Sequence, residues 1–304
     1  MRPESRLLKL LENGEFVVTA ELGPPRSCDE GLVEKKAALL KGSVDAVNLT
    51  DNQTSIVRLS SLAASVLVQQ QGLEAILQMT CRDRNRLALQ SDLLGAAALG
   101  LKNLLCLTGD HQCFGNHPQA KNVFDLDAVQ LLSMVKTMCE EGKFLSGEDM
   151  KKAPALFLGA AANPFAEPLD LRLMRLEKKI KAGAAFIQTQ PVFDLEKFKL
   201  WMEKVRERGL HEKAYILAGL MPIRSVKMLN FMRENVPGVV IPEVLSREIE
   251  EARDPGEAGI NYCSRMIGEL KKIKGVAGVH LMAVEWEKAV PEMVSRAGLL
   301  PRPG

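Results

Sequence analysis

Apolar residues along the chain fall into two alternating kinds of run. Short runs rich in β-branched residues occupy EFVVTAE (15–21), AVNLTD (46–51), EAILQMTC (74–81) and NLLCLTGD (103–110). Four more follow at ALFLGAAAN (155–163), AAFIQTQPV (184–192), YILAGLMP (215–222) and GVHLMAV (278–284). Each is too short for an ordinary helix and too continuously apolar for a strand with one wet face, which predicts buried parallel strands. Between them, residues 30–41, 56–71, 85–99, 126–141, 169–182, 194–208, 225–235 and 244–273 show helical spacing or composition. Over 169–182 the apolar positions are 169, 171, 173, 174, 176 and 180, one face at a period near 3.6. Gly100 and Gly183 stand where a helix should stop before the next strand.

Eight strands alternating with eight helices predict a (β/α)8 TIM barrel, with an open doubly wound sheet as the rival. The first strand-to-helix turn, LGPPRS, lacks the G-x-G-x-x-G phosphate loop, which weakens the dinucleotide-binding form of that rival. GVVIP (238–242) has the composition of an extra short strand with no place in the pattern. The polar, Gly- and Pro-containing segment 111–125 is the longest connection after a strand and a candidate ligand loop. A length of 304 residues fits one barrel domain over 1–304.

Charge narrows the partners. A net charge of +2 gives no reason to expect nucleic acid or a membrane surface. No stretch approaches the roughly 18 apolar residues of a membrane span, and the charged, early-broken MRPESRLLKLLENGE does not read as a signal peptide. Cys28, Cys81, Cys106, Cys113, Cys139 and Cys263 form no C-x-x-C pair, and a reducing cytoplasm is the simpler setting. His111, His117, His211 and His280 lack metal spacing and read mostly as surface or packing residues, so no metal site is expected.

In such a barrel the active site lies at the carboxyl ends of the strands. Those ends carry Glu21; Asn48, Thr50 and Asp51; Gln78 and Thr80; Thr108, Gly109 and Asp110; Asn163; Gln188 and Gln190; and Arg224. So many polar groups converging on one mouth imply a ligand, because a buried polar group without a partner costs free energy. Glu21 follows an apolar strand and precedes a stiff Pro24-Pro25 turn, so burial would raise its pKa and suit it to act as a general acid. Asp110 follows Gly109, which permits close approach to a flat ligand. The competing reading is that each acid caps the following helix or pairs with an arginine such as Arg26. Gln188 and Gln190, two apart, are expected on one face of their strand. The run Glu177-Lys178-Lys179 reads as a solvated helix face, one lysine of which could reach a phosphate.

AELGPPRS, VNLTDN, LQMTCRDRNR, LLCLTGDH, LGAAANPFAEP, LEKKIKAGAAFIQTQPVFD, AGLMPI and GVHLM together resemble, in order, the methylenetetrahydrofolate reductase family in its short single-barrel form. The resemblance covers nearly the whole chain. It implies a flavoprotein that reduces 5,10-methylenetetrahydrofolate to 5-methyltetrahydrofolate by hydride transfer. FAD is the family default, and nothing in the sequence separates it from FMN. Glu21 matches the family's general acid, and Asp110 the acid beside flavin and pterin. Gln190 matches the glutamine that contacts folate. Thr50, Gln78, Thr80, Thr108, Gly109, Asp110, Asn163 and Lys179 fall at or beside positions where the family binds flavin.

Two departures qualify the resemblance. Ser225-Val226 stands where better-known members carry Asn-Phe to hold NADH, and Glu285-Trp286 replaces an Asn-Arg pair near folate. Both resemble the acetogen-type branch, in which the barrel works with an iron–sulfur partner subunit. The expected electron source is then such a partner, with NAD(P)H as a direct or indirect donor. The alternatives are a flavin-free pterin-binding methyltransferase barrel and a non-catalytic subunit of an electron-transfer complex.

Overall fold

The computed structural model describes residues 3–236 and 239–303. Eight strands form a closed barrel in sequence order: β1 (Val17–Leu22), β2 (Ala46–Leu49), β3 (Ala75–Thr80), β4 (Asn103–Leu107), β5 (Phe157–Ala162), β6 (Phe186–Pro191), β7 (Tyr215–Leu220) and β8 (Val276–Leu281). Every neighbouring pair is parallel, and closure pairs Val17 with Gly278 and Ala20 with Leu281. The eight predicted strands are all present and the predicted TIM barrel is the fold.

The helices are α1 (Arg6–Glu12), α2 (Glu30–Leu40), α3 (Ser61–Gln70), α4 (Arg86–Ala98), α5 (Ala128–Glu140), α6 (Leu169–Lys181), α7 (Leu195–Glu207), α8 (Val226–Asn235), α9 (Glu243–Glu250), α10 (Pro255–Lys271) and α11 (Ala289–Arg296). The helix expected over 244–273 is two. Asp254 caps α10 by accepting from the Glu257 N–H, and Pro255 opens its first turn, so the chain must break there. The helix expected from residue 56 starts at Ser61, capped by Ser60. Of the extra strand expected over 238–242, Gly238 lies outside the described residues and 239–242 form no strand. α1 and α11 were not expected from the pattern.

Side chains alternate along a strand, so steps of two residues climb the barrel interior layer by layer. The lowest layer is apolar: Val17, Ala46, Ile76, Leu105, Phe157, Phe186 and Leu217 pack on Leu7, Leu8, Leu10 and Leu11 of α1, which plugs the barrel floor. Two residues on, the chain offers Thr19, Asn48, Gln78, Gln188 and His280, all buried. One further step gives Glu21, Thr50, Thr80 and Gln190. The interior therefore grades from hydrocarbon, through amides and imidazole, to an ionisable mouth. Gly159 makes room in this stack: a Cβ there would lie 2.2 Å from the Phe186 ring. Outside the strands, a second apolar core seals the helices to the barrel.

Candidate active site

Glu21 stands at the mouth with its side chain 12% exposed. Burial pushes its carboxyl up to about 7; the Arg58 guanidinium opposes that rise and the Glu287 carboxylate adds to it. The turn after it is braced from two sides. Arg58 Nη1 donates to the Pro24 carbonyl at 2.9 Å, and Lys36 Nζ to the Gly23 carbonyl at 3.4 Å. Lys36 of α2 also pairs with Glu285 at 3.0 Å and Glu287 at 2.7 Å, tying the first turn to the segment after β8. Glu285 holds a left-handed backbone, φ 50°, uncommon for a residue with a side chain.

Neither acid is a helix cap. Asp29 precedes α2 and Asp127 caps α5, while Glu21 and Asp110 are left to face the mouth. Asp110 is exposed, and among the described residues no hydrogen bond reaches its carboxylate. Its backbone is fixed instead: its carbonyl accepts from Ser55 Oγ at 3.0 Å and Arg82 Nη1 at 3.3 Å. Arg82, almost fully buried, thereby joins the turns after β2 and β4. The same two turns meet at Gly115, where a Cβ would sit 1.9 Å from the Ser55 carbonyl oxygen, so the 111–125 loop is seated rather than free at that point.

The other predicted residues divide by whether their polar atoms are engaged. Thr80 donates its hydroxyl to Asp51 Oδ2 at 2.9 Å, and that carboxylate also holds Arg84 at 2.7 Å. Thr108 Oγ1 accepts from the Ala128 N–H at the start of α5, and Asn163 Oδ1 from the Phe165 N–H. Lys179 is not on a solvated face: it turns inward and donates to the Ala161 carbonyl at 2.7 Å, and burial, helped by Arg175, brings its ammonium down to about 8. Thr50 Oγ1 is buried with no partner among the described residues. Gly109 has φ +94°, and a Cβ there would crowd Thr80 at 3.0 Å and Arg82 at 3.1 Å. Gln78 is buried in the layer below.

Gln188 and Gln190 part company. Gln188 is buried inside the barrel, whereas Gln190 is exposed and lines a small cavity of about 50 Å³ with Asn163, Phe165, Pro191 and Phe193. The β6–β7 register shifts between Gln188 and Pro191, at the level where the strand leaves the buried interior for the rim. A larger groove of about 660 Å³ lies among α9, α10 and the end of α11, outside the mouth; its Arg265 and Arg296 are already paired with Glu248 and Glu257.

Sequence reasoning missed the group beneath Glu21. His280 is buried, the packing alternative of the sequence reading, and its Nε2 lies 3.9 Å from Glu21 Oε2. Burial drives its imidazole down to about 3, so it is neutral and the contact is no ion pair. Its Nδ1 is 3.0 Å from Thr19 Oγ1 and 3.3 Å from Gln188 Nε2. Arg58 and Glu287 were missed as well. The period-two spacing of Thr19 below Glu21 was a usable signal; nothing local announces that β8 closes beside β1.

An orphaned hydroxyl at Thr50, a turn at Gly109 that only a bare Cα fits, and a half-buried lysine beside β5 suit a planar, polar-edged ligand bearing an anionic group. A family model described as methylenetetrahydrofolate reductase matches residues 6–298. A Caenorhabditis elegans protein called "Probable methylenetetrahydrofolate reductase (NADPH)" is 26% identical across 97% of this chain, which covers 44% of that protein. A Salmonella typhimurium "5,10-methylenetetrahydrofolate reductase" is 22% identical, over 88% of this chain and 86% of its own length. The chain thus spans about half the length of several eukaryotic relatives it matches. Among solved structures, an uncharacterized Clostridium thermocellum protein that binds two copies of 5-methyl-5,6,7,8-tetrahydrofolic acid has the same fold, with a TM-score of 0.66 at 16% identity over 95% of this chain and 98% of that one. The chain belongs to the methylenetetrahydrofolate reductase family.

Proposed function

We propose that residues 1–304 act as one catalytic barrel that reduces 5,10-methylenetetrahydrofolate to 5-methyltetrahydrofolate. The observation that carries this reading is Glu21: an acid on a braced turn, buried enough to titrate at about 7, so that a large fraction still carries a proton at neutral pH. The reaction needs such a group. Protonating a folate nitrogen opens the five-membered ring and exposes an iminium carbon. A proton donor works best with a pKa near the working pH. Asp110, whose carboxylate takes no hydrogen bond among the described residues, is the group we assign to accept from the amino edge of a pterin. Gln190 supplies an amide at the same rim, toward folate.

A flavin held at these strand ends would supply hydride to the one-carbon unit. Thr50, with its unpartnered hydroxyl, and Gly109, with its open backbone, are the groups we assign to the flavin first. Gln78, Thr80, Thr108, Asp110 and Asn163 line the same strand ends. Lys179 offers positive charge to a phosphate, FAD or FMN alike. The chemistry at Glu21 favours this reading over a flavin-free methyltransferase barrel, which has no need of a second fixed acid.

The electron donor is read from the seventh strand end. Ser225 caps α8 by accepting from the Met228 N–H, and Val226 follows it, so no aromatic ring stands where other members hold NADH. We assign delivery of electrons to an iron–sulfur partner subunit in the cytoplasm, with NAD(P)H acting through that partner. Anaerobic visible spectra of the purified chain test the proposal. Bleaching of flavin absorbance by 5-methyltetrahydrofolate, and no bleaching of a fresh sample by NADH, is the expected pair. A protein that cannot be loaded with FAD or FMN would overturn the reductase reading, and rapid bleaching by NADH alone would overturn the partner.

A further inference from the structure

The polar layer beneath the mouth has one internal logic. Asn48 Nδ2 donates to Gln188 Oε1 at 2.7 Å, and Gln188 Nε2 donates back to Asn48 Oδ1 at 3.0 Å. The second hydrogen on Gln188 Nε2 points to Thr19 Oγ1 at 3.1 Å and His280 Nδ1 at 3.3 Å. Thr19 Oγ1 thereby becomes an acceptor and has its own hydrogen to give. His280 Nδ1, at 3.0 Å, is its nearer target; the Val279 carbonyl is at 3.4 Å. With Thr19 giving its hydrogen to the nearer of its two targets, Nδ1 is the acceptor of the ring. A neutral imidazole carries one N–H, which must then be on Nε2, the atom that faces Glu21.

All four side chains are buried, and they come from β1, β2, β6 and β8. Such a network is expensive unless its members are satisfied, and here Asn48, Gln188, Thr19 and His280 are each bonded to another of the four. Toward the mouth it presents the Nε2–H, the group nearest Glu21. The 3.9 Å between Nε2 and Glu21 Oε2 exceeds a hydrogen bond, and a movement of about 1 Å at the carboxyl brings it to the usual N–H···O length near 2.9 Å.

We propose that His280 is a positioning residue for Glu21: the Thr19–Gln188–Asn48 layer fixes its tautomer, and its Nε2–H holds one carboxyl oxygen so that the other presents its proton to the ligand. The ring gives up no proton itself. The inference rests on the reading of Glu21 as the proton donor and adds how that donor is aimed. The other charged groups facing Glu21 are Arg58 after β2 and Glu287 after β8, with Lys36 of α2 bound to Glu287. None of them contacts the imidazole through a hydrogen bond among the described residues, so the histidine can be tested separately.

Two substitutions separate positioning from mere packing. A glutamine amide reaches about as far as Nε2, and an asparagine amide only as far as Nδ1. H280Q keeps a donor toward Glu21, while H280N keeps the contact with Thr19 and loses that donor. Infrared difference spectra across pH follow the Glu21 carboxyl band, assigned by its disappearance in E21Q. In H280Q the band should titrate close to the wild type. In H280N it should titrate at higher pH, because a donor that favours the ionised carboxylate is gone. The turnover of H280N should fall about 10-fold with little change in KM, less than the roughly 10²–10⁴ that loss of a well-placed proton donor itself costs. Equal behaviour of the two variants, or a wild-type titration in H280N, overturns the proposal. Histidine ¹⁵N spectra of the unmutated chain give an answer that needs no variant to fold: Nε2–H at His280 is expected, and Nδ1–H refutes the scheme. The titration and the tautomer can both be read on a chain with no reductase activity, so failure of the proposed function would be seen separately.

Discussion

Replacing Glu21 by glutamine should make the protein more stable and less active at once. Glutamine copies the shape of the protonated acid and cannot ionise. In the wild type the carboxyl titrates at about 7 when folded, against an ordinary value of 4.5 when unfolded. Between those values the folded state binds the extra proton, so wild-type stability falls as pH rises from 4.5 to about 7 and is flat above. At ~1.4 kcal/mol for each pH step, the loss comes to about 3 kcal/mol by pH 8. E21Q escapes it. The two proteins should unfold alike in urea at pH 4.5 and differ by about 3 kcal/mol at pH 8, with E21Q the more stable. For a chain of this length that corresponds to a rise of about 5 °C in Tm. Urea unfolding of both proteins at half-unit steps from pH 4.5 to 8.5 gives the difference directly. A constant difference across that range would refute the claim that burial holds Glu21 protonated, as would a wild type that gains on E21Q with pH.

Other substitutions probe separate parts of the mouth. Thr50→Val removes a hydroxyl that has no internal partner, so the flavin-free protein should unfold within about 0.5 kcal/mol of the wild type, while flavin affinity drops about 10-fold in a fluorescence titration. Arg58→Met takes away the cation that favours ionised Glu21, so the pH above which turnover is lost should move higher. Lys179 is held near 8, so its charge is present below that pH and lost above it. Flavin affinity should therefore weaken from pH 7 to 9 in the wild type and be lower and nearly pH-independent in Lys179→Met, as read by equilibrium dialysis.

The barrel was legible because its strands are buried on both sides and so form unbroken apolar runs between amphipathic helices. Boundaries were less so. The Asp254-Pro255 start signal sits inside a run with continuous helical composition, and it went unread. α1 is only seven residues long, too short for periodicity to stand out. Glu21 and Asp110 could be singled out because each follows an apolar strand at a rigid or glycine-bearing turn. Lys179 hid in a charge run, and only the helix rotation against β5 reveals that it points inward. The His280 layer is the deepest omission. Thr19 and His280 are 261 positions apart and meet only because the barrel closes β8 onto β1. Their chemistry belongs to the closed structure, not to any local stretch of the chain.

The most direct measurement is an anaerobic stopped-flow half-reaction. The chain, loaded with flavin and chemically reduced, is mixed with 5,10-methylenetetrahydrofolate, and the return of flavin absorbance is followed in the wild type and E21Q. The expected result is reoxidation in the wild type and a rate at least about 100-fold lower in E21Q, with equal flavin content. Reoxidation of E21Q at a rate within a few-fold of the wild type would contradict the role of Glu21 as the proton donor.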